Sequence, residues 1–176
     1  MIYFDSKHLS HKLGINKAKW KRWSREFLPP DPLGGLQSGV ARQFNVKEAF
    51  KVYLGGYLVS ELKFTIPDAL QILADLSTWL KLNGFFSIQS QPRNHLSQQD
   101  QRHHIYIYRP SKKSFAYCIR TIMSLLSIDN HLKQEIFSEA VISTEADLIA
   151  SGEVKSAQLL AITVLYQDFL RRIGIG

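Results

Sequence analysis

Apolar residues recur through the first third of the chain at helical spacing, in short blocks broken by glycine and proline. Leu9 and Leu13 stand four apart behind Asp5 and Ser6. Either of these can cap a helix, because a short oxygen side chain accepts from the free N–H groups of the first turn. Gly14 ends this block as a residue able to take a left-handed backbone. Ile15 follows, and Asn16 is a second N-cap. From Lys17 to Phe27 the spacing sets Trp20 and Trp23 on one side and Lys17, Lys21 and Arg22 largely on the other. Two short helices about a tight turn, burying Leu9, Leu13, Ile15, Trp20 and Trp23 with small Ser10 at their approach, have helix-turn-helix spacing.

Leu28-Pro29-Pro30-Asp31-Pro32 cannot be helical. Gly34, Gly35 and Gly39 flank a short stretch that runs into Arg42-Gln43-Phe44, the pattern of a hairpin or wing. Val46 to Leu62 reads as a helix despite Gly55-Gly56. Thr65 caps another, with Pro67 in its first turn and Ala69, Leu70, Leu73, Leu76 and Leu80 as its apolar face. Phe85–Gln89 and Ile105–Tyr108 look extended and could pair across the polar stretch 91–103. Helical patterns follow at about 111–127, 129–140, 144–151 and 153–173. The last is apolar on most sides, which suits a central core position or a dimer interface. The predicted fold is mainly α with small β. It comprises a winged helix-turn-helix over 1–82 and a small α+β, mostly helical region over 83–176 for dimerisation or partner binding.

Charge changes the picture. The net charge of the 176 residues is +7, and +6 of it lies in residues 1–60, against +1 for the rest. Seven basic residues and no acidic one lie between Lys7 and Arg25. An asymmetry of this kind points to a polyanion, most often nucleic acid.

The order of these elements resembles the N-terminal DNA-binding domain of the MerR family of bacterial transcription regulators. Leu9-Ser10-His11-Lys12-Leu13-Gly14-Ile15 corresponds to the first helix and turn, and Trp20-Lys21-Arg22-Trp23-Ser24-Arg25-Glu26 to the recognition helix. Leu28-Pro29-Pro30 enters the wing, Arg42 to Ala49 resembles the strand leading into the third helix, and Lys63 to Ala69 the start of the fourth. The resemblance covers about residues 3–82. It implies double-stranded DNA as partner and Lys17, Lys21, Arg22 and Arg25 as recognition-helix contacts, with Arg42 on the wing; Asn16 and Lys19 complete the candidate set. Lysine cannot grip guanine bidentately as arginine does, so Lys17 and Lys21 suit phosphates and Arg22 suits a base edge. The family's long dimerising coiled coil is missing, because Trp79 to Leu82 runs into Asn83-Gly84 with no sustained heptad. A homodimer held through the C-terminal region is expected instead.

Other chemistry is sparse. One cysteine, Cys118, excludes an internal disulfide framework and a Cys-rich zinc site. His103 and His104 are adjacent and fall on opposite faces of a strand, and His8 and His11 have no acidic or cysteine partner, so no metal is expected. No phosphate-cradling glycine motif or marked nucleophile occurs, so no cofactor and no catalytic residue are assigned. No apolar stretch approaches a membrane span and no export signal is visible, which leads to a cytoplasmic, nucleoid-associated protein as the expectation. The readings open on the sequence are a sequence-specific regulator of a bacterium, phage or plasmid, and an architectural factor such as an excisionase or partition accessory protein. A protein-interaction module without DNA binding is another, and an enzyme on nucleic acid is disfavoured by the lack of a carboxylate cluster.

Overall fold

The structure is a computed structural model that describes residues 2–31, 41–86, 100–111, 114–126, 133–142 and 156–175. The chain divides into two compact units, residues 1–90 together with 168–176, and residues 91–167.

In the first unit, β1 (Tyr3–Asp5) pairs antiparallel with β2 (Gln43–Asn45), Phe4 opposite Phe44. Helix α1 (Ser6–Leu13) starts where the Asp5 carboxylate accepts the His8 N–H at 2.7 Å. It stops at Gly14, whose φ of 67° is the left-handed conformation that glycine adopts without a Cβ clash. Asn16 then caps α2 (Lys17–Phe27), its Oδ1 accepting from the Ala18 and Lys19 N–H groups. Helix α3 (Val46–Ser60) opens with a reciprocal Asn45/Glu48 box, and α4 (Ile66–Asp75) with a Thr65/Asp68 box and Pro67 in its first turn. Helix α5 (Ser77–Leu82) follows.

The two glycines inside α3 have a packing reason. A Cβ at Gly55 would stand 2.6 Å from the Phe27 ring, and one at Gly56 would stand 2.2 Å from the Trp23 ring. The aromatic stripe of α2 therefore lies directly on the α3 backbone, which a side chain would forbid. Gly55 and Gly56 cost helix propensity, roughly 1 kcal/mol each, and that cost is offset by burial of two large rings. Trp20, Trp23 and Phe27 are buried with Leu9, Leu13, Phe44, Phe50, Leu54 and Leu58. Ile15, expected inside, is only half-buried. On α4 the buried face is Ala69, Ile72 and Leu73, while Leu70, expected on that face, is 39% exposed.

The second unit overturns the predicted fold class. It is built on a four-stranded antiparallel sheet in the order β5-β4-β3-β6, so the protein is a mixed α+β fold and not mainly α. Strand β3 (Asp100–Ser111) pairs with β4 (Ser114–Leu126), Ile105 opposite Ile119 and Ile107 opposite Tyr117. On its far side β4 pairs with β5 (Lys133–Ile142). Where the helices expected at 111–127 and 129–140 fall on described residues, the chain is therefore strand. Phe115 to Ile119 is a continuous apolar run buried on both faces of the sheet, so it lacks the alternation that marks a half-buried strand. Its β-branched and aromatic residues, which fit a pleated surface, decide the form once long-range pairing is available.

The segment expected to be one helix over 153–173 is two elements, β6 (Gln158–Leu160) and helix α6 (Ile162–Ile173). Leu160 pairs with Ile105 on the sheet, and the apolar density of the segment is shared between strand and helix. Where the β6 ladder runs out, Thr163 Oγ1 accepts the His103 N–H at 2.9 Å. The pairing proposed for Phe85–Gln89 is not made by Phe85 and Phe86, which form the turn after α5. The partners of Ile105–Tyr108 are β4 and β6. Gly34, Gly35 and Gly39 of the expected wing, Ser87–Gln89 and the helix expected at 144–151 lie outside the described residues. No helix of the described residues is long and apolar enough to cross a membrane.

Candidate nucleic-acid interface

Helix α2 is polar over most of its circumference because only Trp20, Trp23, Ser24 and Phe27 turn inward. Ser24 is buried without penalty, its hydroxyl donating to the Trp20 carbonyl at 2.8 Å. The Trp20 ring meets Phe44 edge-on at 5.8 Å, and its indole N–H has no partner among the described residues. Lys17, Lys21, Arg22 and Arg25 are exposed on the other side.

These four do not act as one row. Lys17, Lys21 and Arg25 line a groove of about 760 Å³ that α2 forms with the start of α1, the Leu28–Asp31 segment and β2. Lys7 and Arg42 line the same groove, so it carries five basic side chains against Asp5 and Asp31. Asp5 is already engaged: the His8 backbone N–H it accepts holds its carboxyl below the ordinary carboxylate range. Arg22 lies outside the groove wall, on the open ridge of the helix.

Three members of the predicted set have engagements of their own. Asn16 spends its side-chain oxygen on the α2 cap. Lys19 leaves the basic row, its Nζ standing 4.8 Å over the Trp23 ring in a second groove on the opposite flank of α2. Arg42 is a tie as well as a charge. It donates from Nη1 to the Pro29 carbonyl at 2.8 Å, pairs with Glu48 at 3.6 Å and covers the Phe44 ring at 5.6 Å. Those contacts bind the chain leaving α2 to the start of α3 and leave the side chain 17% exposed. Lys7 was not among the assigned residues; its place at the head of the acid-free segment was the signal that could have added it.

Among the described residues no three His, Cys, Asp or Glu side chains cluster closely enough to hold a metal ion. His8 stacks on Phe4 at 5.4 Å. His103 is buried in the second unit, with Nδ1 2.9 Å from Thr121 Oγ1. Burial first, and His104 second, pull its pKa below the ordinary 6.5. Cys118 is buried and its thiol pushed up by desolvation, which disfavours the reactive thiolate. A scan against protein-family models finds no match to this chain, and no curated protein matches it.

Proposed function

We propose that this protein binds double-stranded DNA in a sequence-specific way and regulates transcription, with α2 as its recognition helix. The observation that carries the reading is the groove beside α2, where Lys7, Lys17, Lys21, Arg25 and Arg42 converge at one flank of a helix held by a helix-turn-helix. A stiff helix with a free basic face, set by a glycine turn and two side-chain caps, is the form in which side chains enter a major groove. The succession β1, α1, α2, β2, α3, α4 supports a helix-turn-helix reading of this unit.

In this reading Lys7, Lys17, Lys21 and Arg25 neutralise phosphates, and Arg22 on the open ridge reads a base edge. The protein acts as a homodimer at paired half-sites, bound to the nucleoid of a cell with no membrane-bound nucleus. Leu159, Val164 and Ile175, 47%, 53% and 38% exposed, are apolar side chains of the C-terminal region that favour self-association.

The test is duplex binding by the full chain followed by fluorescence anisotropy across a salt series. Four phosphate contacts give a log–log slope near −4, at roughly −0.9 per neutralised phosphate. Selection from random duplexes then yields a site, and sedimentation on that site reports the dimer. Binding that is absent at low salt, or indifferent to salt, refutes the reading.

A further inference from the structure

The second groove, on the flank of α2 away from the basic row, has a different chemistry. It holds about 490 Å³ between the α1–α2 turn, α2, the C-terminal half of α3 and Arg172 of α6. That volume lies within the range of small-molecule sites, roughly 300–1,000 Å³. Two half-buried tyrosines, Tyr53 and Tyr57, stand one helical turn apart on α3 and both line it, with the Trp23 ring beside them. Tyr53 is fixed from behind by Phe169 at 5.4 Å.

The charges are unequal. Lys19 and Arg172 are cations of the groove and Glu61 is its one carboxylate. Lys19 makes no ion pair among the described residues, and the ring beneath it holds its ammonium in place. Arg172 Nε meets Asp168 at 2.7 Å, but Asp168 is shared with Arg171 at 2.6 Å. One carboxylate divided between two guanidinium groups leaves donor capacity at Arg172 for a further acceptor. Burial raises the Tyr53 hydroxyl above its ordinary pKa, against the pull of Arg172, so it stays a neutral donor at physiological pH.

We infer that this groove is a binding site for a small planar aromatic carboxylate. The rings lie along Tyr53 and Tyr57, and the carboxylate is received by Lys19 and Arg172. The inference concerns a surface separate from the basic groove and stands whether or not the chain binds DNA.

The test is calorimetric titration of the full chain with 2-naphthoate, alongside 2-naphthamide, which keeps the rings without the charge, and acetate, which keeps the charge without the rings. The acid binds at least about tenfold more tightly than either control. Arg172→Gln weakens it by about tenfold while the helical circular dichroism is unchanged, and Tyr57→Trp, which fills the groove, blocks it. Equal binding of acid and amide, no binding near millimolar acid, or an Arg172→Gln variant that binds like the parent each overturns the inference.

Discussion

Helix α2 and strand β4 each hold a central place in their own unit, and they bury their apolar residues in opposite ways. Helix α2 sinks one stripe, Trp20, Trp23 and Phe27, and leaves the rest of its surface to lysine and arginine. Strand β4 buries five consecutive residues, Phe115 to Ile119, and so has no free face along that run. An element buried on one side can offer its other side to a partner. One buried on both sides is committed to the scaffold, and its chemistry-bearing member, Cys118, is desolvated. The two grooves that flank α2 both belong to the helical unit.

Truncating the buried stripe costs the most. Trp20→Ala removes a fully buried ring and lowers stability by about 3–5 kcal/mol, measured by denaturant unfolding. Trp20→Phe costs clearly less, because it also removes a buried N–H that lacks a partner among the described residues. Ile119→Ala on β4 falls in a similar range, about 2–5 kcal/mol. A Trp20→Ala protein that melts like the parent would place the ring outside the core.

Gly56→Ala comes next. By helix propensity alone it should stabilise α3 by about 1 kcal/mol. The Trp23 ring, 2.2 Å from the new Cβ, reverses the sign, so the variant loses about 1–3 kcal/mol as overpacked cores do. A gain in melting temperature would show that α2 and α3 do not lie in this close contact.

A smaller effect separates the two flanks of α2. Lys21→Ala and Arg25→Ala leave stability within about 0.5 kcal/mol, since both side chains are exposed. If the proposed DNA binding holds, each lowers its salt slope by roughly one unit. Lys19→Ala, from the opposite groove, leaves that slope in place. Equal losses from all three would mean that charge alone, and not the groove, sets the affinity.

The smallest effect concerns pH and lies beside β4. His103 is held neutral by burial, with its pKa below the ordinary 6.5. Below that value the unfolded chain takes up a proton that the folded chain does not, so stability is full above pH 6.5 and declines as the pH falls toward the folded pKa. His103→Gln flattens the stability profile in that window, read from urea midpoints across a pH series. An unchanged slope would assign the decline to other groups.

Features that depend on neighbours a few residues away can be read from the chain alone. The Asp5, Asn16 and Thr65 caps, the left-handed Gly14 turn, the buried Trp20 and Trp23 and the helical span of α3 were all legible, because caps and turns are satisfied within one helical turn. The basic character of α2 was legible too, although its division between two grooves was not. That division depends on which elements pack against each flank: Lys19 reaches Trp23 one turn along its own helix, but the groove they share exists only because α3 packs beside them. Ile105–Tyr108 of β3 was legible as extended, but the ladders that β4 makes with β3 and β5 were not. A doubly buried strand such as β4 shows no period of two, and the sheet joins residues far apart in the chain, Tyr117 with Ile142 and, on β3, Ile105 with Leu160. The reason for Gly55 and Gly56 was not legible either: they cost helix propensity without visible return until two rings from α2 lie against the backbone they leave bare.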